Sequence, residues 1–408
     1  MRAGVVVTGL GLVTPGGIGV EAGWRAALAG VSTAARDPRL AGLRVDISCR
    51  VPEFDADALL GRRLARRMDR GTQLGVVAAR EAFAMAGLAD GDWDPARVGV
   101  VMGSGGSSVD GLLDICDRLA AGRPESVPPM ALPRSLPSAG ATEVALDLGA
   151  AGPNFATSAG CASGLTAIGV ARDLLRSGAL DIVVAGGAES LCHPLTVTAF
   201  AQLGVLSTRP GDPCDAARPF GRDRDGFVVA EGAGILVLER AAYARARRAP
   251  VLAHAAGYGA GSDAHHVAAV HPEGRGAERA VRAALADARW RPEDVEHVNA
   301  HGAATRANDA AEASWLARVL PHRPPVTATK ATLGHAGAGS GGIEAALSVL
   351  TLSRRTIPPT ANHTEPDTAL AGGIDLVTRA PRAGGRRTAL CVSTALGGQN
   401  SALALLAS

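Results

Sequence analysis

Apolar residues in this chain come in short unbroken runs. "GVVVTGLG" at 4–11, "VGVVMGSGG" at 98–106, "DIVVAGGAE" at 181–189 and "GILVLE" at 234–239 are built from Val, Ile, Ala and Leu with Gly at their ends. Runs this short, with no polar alternation, predict strands covered on both faces. Between them the spacing changes. "DRGTQLGVVAAREAFAMAGL" at 69–88 puts apolar residues three and four apart, which predicts a helix. Strand and helix in turn predict an α/β fold with a buried sheet.

The pattern then restarts. "VLAHAAGYGAGSDA" at 251–264 echoes the opening run, and "VEHVNAHGAAT" at 295–305 echoes "VGVVMGSGG". "PPVTATKATLGHAGAGSGGIEAALSVL" at 324–350 echoes "GPNFATSAGCASGLTAIGVARDLL", and "TALCVSTALGGQNSALALLA" at 388–407 echoes the run at 181. The offsets differ, so this is a divergent duplication with insertions, not a solenoid. The break falls near "RAAYARARRAP", giving halves at 1–250 and 251–408. A site between the halves is the natural expectation.

Composition narrows the class. The chain has 408 residues, enough for a large duplicated core, and a formal net charge of +2, which gives no reason to expect a nucleic acid or membrane surface as partner. No apolar run approaches the roughly 18 residues of a membrane span. The six cysteines (49, 116, 161, 192, 214 and 391) have no paired spacing and suggest reduced thiols in a cytoplasm. One Lys, Lys330, stands among 41 Lys and Arg residues.

The chemistry concentrates in three turns. "SAGCASG" places Cys161 between a short strand and a helix, among residues small enough for another group to approach the sulfur. The helix start favours an anion, which predicts a lowered thiol pKa and a nucleophile; an inert buried Cys is the competing reading. "NAHGAAT" and "KATLGH" each put a His, His301 and His335, in a Gly-rich turn after an apolar strand. Lys330 lies five residues before His335, where a compact ammonium serves and a guanidinium fork would not. No dinucleotide or phosphate loop and no HExxH motif is present, and His265, His266 and His271 lack the partners of a metal site, so no metal is expected.

These motifs, with "RPFGRDRDGFVVAEGAG" and "ALGGQN", resemble the elongating β-ketoacyl-acyl carrier protein synthases along essentially the whole chain. The resemblance implies a thiolase fold, a duplicated five-layer αβαβα architecture. It implies an acyltransferase that condenses an acyl thioester with malonyl-carrier protein, in fatty-acid or type II polyketide synthesis. Cys161 would carry the acyl group. His301 and His335 would hold the malonyl thioester, with Lys330 orienting them and Glu344 and Asn400 in support. The N–H groups of Cys161 and Leu396 would form an oxyanion hole, and Thr305 would touch the phosphopantetheine arm. Two departures stand out: Ala303 replaces the usual Thr, and Ala395-Leu396-Gly397-Gly398 replaces a Gly-Phe-Gly-Gly gate. Both lie at the acyl entrance, and they favour a polyketide role.

No carrier sequence is present, so the resemblance implies an acyl carrier protein in trans and no cofactor held by the chain itself. "GRRLARRMDR" spaces Arg62, Arg66 and Arg70 at i, i+4 and i+8, which predicts one basic helix face. That face is either a solvated surface or, joined by Arg209, a carrier landing patch. A homodimer, or a heterodimer with a homologous chain-length factor, is implied. A non-catalytic chain-length subunit and a thiolase are the alternatives. The first should lack the nucleophile, and the second should place a Cys near the C-terminus in another context, where Cys391 is the sole candidate.

Overall fold

The computed structural model describes residues 4–89, 91, 93–106, 108–363, 365, 367, 370 and 374–408. The opening run is strand β1 (Val5–Thr14), buried at all ten positions. Helix α1 (Arg70–Met85) covers it, then β2 (Val98–Gly103) and β3 (Asn154–Thr157) follow. Helix α2 (Ser163–Arg176) leads to β4 (Ile182–Ser190) and β5 (Glu231–Arg240).

The second half begins with β6 (Ala253–Ser262) and helix α3 (Arg275–Ala288). Then come β7 (Val298–Asn299), α4 (Arg306–Val319), β8 (Pro325–Thr327), α5 (Ala338–Arg354), β9 (Thr388–Thr394) and β10 (Gln399–Ala407).

The two halves pair their strands by one rule. In the first, β2 runs parallel to both β3 and β4, while β5 is antiparallel to β4 and β1. In the second, β7 runs parallel to both β8 and β9, while β10 is antiparallel to β9 and β6. The duplication read from the sequence is thus present strand for strand. The half-sheets meet where β1 and β6 pair at Val6↔His254 and Val7↔Ala253.

Helices α2 and α5 lie between the half-sheets, each touching strands of both. Helix α1 covers the outside of one half-sheet, and α3, packed on α4, the outside of the other. The result is five layers. Helix α5 is buried from Ala338 to Leu352, and its Ser340, Glu344 and Ser348 side chains find hydrogen-bond partners there. Its approach to α2 requires Gly164, where a Cβ would sit 2.5 Å from Ala338 O. That crossing sets the N-terminal ends of α2 and α5 side by side.

Candidate active site

The Cys161 turn explains its small residues. β3 ends at Thr157, and α2 starts at Ser163. Ser163 staples the turn: its Oγ accepts the Ala159 N–H at 2.8 Å and donates to Gly160 O at 2.6 Å. Gly160 has φ +53, and a Cβ there would lie 3.0 Å from Ala395 Cβ. Cys161 therefore projects where two cavities meet. One, about 640 Å³, is lined by His301, His335, Ala303, Thr305, Phe227 and Leu396. The other, about 330 Å³, is lined by Glu189, Met102, Leu136, Thr196, Phe200 and Leu396.

The expectation of a lowered thiol pKa is corrected. Burial pushes Cys161 up to about 12, Glu189 adds to the rise, and Lys330 pulls the other way. Desolvation among packed walls outweighs the attraction of the helix start, so the resting group is a neutral thiol. Glu189, at the end of β4, was not foreseen. Its carboxylate accepts the Ala338 N–H at 2.6 Å, and burial lifts it to about 7. Gly337 makes room for it, because a Cβ there would lie 2.1 Å from Glu189 Oε2.

The two histidines meet at right angles, with ring centroids 5.4 Å apart and an interplanar angle of 82°. His301 follows β7, and its turn is clamped from α4: Glu312 Oε1 accepts the His301 N–H and Oε2 the Gly302 N–H, each at 2.8 Å. Glu312 is a second residue the sequence did not single out; only its place in "HGAATRANDAAE" hints at it. His335 packs edge-on against Phe227, with centroids 4.9 Å apart, and its Nδ1 lies 2.9 Å from Ser340 Oγ. Burial and the Lys330 charge hold both imidazoles well below their usual range, so both are neutral at physiological pH.

Lys330 sits in the middle of the network. Its Nζ donates to His301 O at 2.7 Å and to His301 Nδ1 at 3.3 Å, and is ion-paired with Glu344 Oε1. Three donors meet three acceptors in a buried setting, which suits an ammonium. Burial pushes Glu344 up to about 7 against the pull of Lys330. Lys330 therefore acts on His301 directly, and none of its hydrogen bonds among the described residues reaches His335.

The gate is a tight turn. Gly398 N–H donates to Ala395 O at 3.1 Å, and Asn400 Nδ2 donates to Gly398 O at 2.8 Å and to Asp263 Oδ1 at 3.1 Å. Asn400 thus holds the loop from behind and does not line either cavity. Ala395 is buried, and Leu396 is half-buried on the wall shared by both cavities. Neither the Cys161 nor the Leu396 N–H has a protein acceptor among the described residues. Thr305 caps α4 by accepting the Asn308 N–H at 3.3 Å.

The basic face is corrected too. Arg62 lies in a four-residue helix, Arg62–Ala65, that ends at Arg66. Asp69 then caps a new helix by accepting the Thr72 N–H at 2.8 Å, so the i, i+4, i+8 register is broken before Arg70. Arg70 is half-buried and turned inward: its Nη2 is 2.6 Å from buried Glu231 Oε1. Arg209 is half-buried and donates to Asp223 O within its own loop. Arg62 and Arg66 remain exposed. Cys391 lies in β9 with no exposure.

A Cys and two neutral His, held by opposite halves of a five-layer duplicated α/β sandwich, define a thiolase-fold acyl-transferring enzyme. Family models agree: "Beta-ketoacyl synthase, N-terminal domain" matches residues 2–244, and "Beta-ketoacyl synthase, C-terminal domain" matches 252–364. The chain belongs to the beta-ketoacyl synthase family. It is 36% identical over 413 residues to 3-oxoacyl-[acyl-carrier-protein] synthase 2 of Vibrio cholerae, covering 98% of each chain. It is 37% identical to the tetracenomycin polyketide synthase ketoacyl synthase alpha subunit of Streptomyces glaucescens, covering 98% of this chain and 96% of that one. The solved ishigamide ketosynthase/chain length factor superposes with a TM-score of 0.92 at 32% identity over the whole of both chains.

Proposed function

We propose that the chain is a β-ketoacyl-carrier-protein synthase that performs decarboxylative Claisen condensation. The observation that carries this reading is the convergence of Cys161, His301 and His335 on one cavity wall with two unspent backbone N–H groups. An acyl thioester enters first. Cys161 Sγ attacks its carbonyl, the bond to the carrier's pantetheine sulfur breaks, and the thiol proton ends on that leaving sulfur. The N–H groups of Cys161 and Leu396 hold the oxyanion, each such donor being worth about 3–4 kcal/mol.

Malonyl-carrier follows. Its thioester carbonyl accepts from the Nε2–H groups of His301 and His335. The bond to the carboxylate breaks, carbon dioxide leaves, and the electron pair becomes an enolate that the two donors stabilise. The enolate carbon attacks the Cys161 thioester, the C–S bond breaks, and Sγ takes a proton from solvent. No strong base and no cofactor on the chain is needed. Thr305 and Ala303 line the pantetheine side, and Glu344 and Asn400 brace Lys330 and the gate.

The carrier comes in trans, and the name of the Vibrio relative supports an acyl carrier protein as the group that bears the substrate. The protein works as a dimer with itself or with a chain-length factor, and the unpaired outer edge of β3 is the support in this chain. Residues 1–250 and 251–408 are its two halves, a division supported by the matching strand order. Among the described residues no helix is long and apolar enough to cross a membrane. All six cysteines are free, which supports a reduced, cytoplasmic setting. Incubation with acyl-carrier and malonyl-carrier should yield a β-ketoacyl-carrier, carbon dioxide and an acyl adduct on Cys161; absence of the adduct would overturn the reading.

Docking and gating each give a prediction. Arg62→Glu with Arg66→Glu should lower kcat/KM for carrier-bound substrates about tenfold, with the defect shrinking at high salt. Pantetheine mimics lacking a carrier should be used as before, and equal loss with them would count against docking. At the gate, Leu396 closes the wall less fully than a Phe would, and Ala395 lacks glycine's freedom. Together with Ala303 this favours bulky polyketide intermediates. Leu396→Phe should slow acylation by long or rigid chains several-fold more than by acetyl. A uniform change across acyl groups would remove Leu396 from that role.

A further inference from the structure

His335 is fixed in place by its backbone. Its N–H donates to Val228 O and its C=O accepts from Ala230 N–H, each at 2.9 Å. Phe227 fixes the ring plane. What remains undetermined by packing is which ring nitrogen bears the proton. For an imidazole that must donate to a carbonyl oxygen, this decides whether the site works.

Ser340, 3% exposed in the first turn of α5, supplies the answer. Its Oγ lies 2.9 Å from His335 Nδ1 and 3.0 Å from Ala336 N. A backbone N–H can only donate, so Ala336 takes one lone pair of Oγ. The hydroxyl proton is then left, and His335 Nδ1 is the one acceptor for it among the described residues. The reverse arrangement, with Nδ1–H donating, would strand a buried hydroxyl proton and turn a lone pair on Nε2 toward the cavity. A buried donor without an acceptor is costly, so the first arrangement dominates.

Resting on the condensing function above, we propose that Ser340 is a positioning residue that holds His335 in its Nε2–H tautomer, ready to donate to the malonyl thioester carbonyl. His301 is held the same way by a different donor, the Lys330 ammonium at Nδ1. The two imidazoles thus present two N–H groups to one oxygen, one set by a charge and one by a hydroxyl. A hydroxyl does this without adding a second cation to a site where Lys330 already opposes protonation of both rings.

The test reads the tautomer itself. Protein labelled with ¹⁵N-histidine, with His335 assigned through His335→Ala, should show a protonated Nε2 and a bare, hydrogen-bonded Nδ1. Ser340→Ala should move that signal toward a mixture of tautomers and lower kcat for malonyl-carrier decarboxylation roughly tenfold, with KM and Cys161 acylation little changed. Ser340→Thr, which keeps the hydroxyl, should restore both signals. Thermal melts of each variant separate misfolding from a local effect. A protonated Nδ1 in the parent protein, or an Ala variant with unchanged tautomer and decarboxylation, overturns the proposal. A parent with the expected tautomer but no decarboxylation of malonyl-carrier would overturn the condensing function and leave the Ser340 assignment standing.

Discussion

Cys161→Ala should lower condensation by at least about 10⁴-fold, the scale seen when a covalent nucleophile is removed. No other thiol can take over. Cys49 and Cys391 are buried outside both cavities, and Cys192 is buried in the wall of the smaller cavity, away from His301 and His335. Cys214 is tied to the carbonyls of Ser32 and Ala34, and Cys116 is exposed and lines neither cavity. The fold should survive, because Cys161 projects into cavity space and an Ala fits a turn already built from Gly, Ala and Ser. Malonyl-carrier decarboxylation should persist, since His301 and His335 are untouched, and should release acetyl-carrier because the enolate has no acyl acceptor. Product analysis by mass spectrometry decides the matter. Loss of decarboxylation together with condensation would show that Cys161 supports the histidines structurally and that the division of labour is wrong.

What the sequence revealed and what it hid follow from distance along the chain. The Cys161 elbow was legible because strand, small residues and helix are contiguous. The duplication was legible because each half repeats its strand pattern. Lys330 stood out by composition alone. Glu189, Glu312 and Ser340 were not legible as site residues. Glu189 reaches across to Ala338, 149 residues away, and its meaning depends on the crossing of α2 and α5. Ser340 matters only because the turn after His335 folds back on the ring. Local reading also failed where one residue resets a helix. Asp69 caps α1 and turns an apparent basic stripe into two exposed arginines and one internal ion pair. The thiol pKa was misjudged for a related reason, since the helix start is local and the desolvating walls are not.

Lys330→Met should cost about 3–5 kcal/mol of stability near neutral pH and lower decarboxylation about 10²–10³-fold. Both effects come from one geometry. Lys330 and Glu344 are 3% and 2% exposed at their side chains, so removing the ammonium strands a carboxylate in a dry setting. The sign of the pH dependence follows. Burial already raises Glu344 to about 7, above its unfolded value, and loss of Lys330 raises it further. Between the two values the folded state binds the proton and the unfolded state does not, so stability falls as pH rises. The deficit of the variant should therefore be larger at pH 8 than at pH 6, read as the difference in melting temperature from the parent protein. Glu344→Gln added to Lys330→Met should recover much of the stability. It should not recover the activity, because His301 Nδ1 would still lack its donor. Lys330→Arg keeps the charge yet should also lose most decarboxylation. A planar fork cannot aim three donors at His301 O, His301 Nδ1 and Glu344 Oε1 from one point. Cys161 acylation should remain in all three variants. An Arg variant that decarboxylates normally would show that charge alone is what this site asks of Lys330, and a Met variant whose deficit does not grow with pH would show that the Glu344 charge is not what the ammonium stabilises.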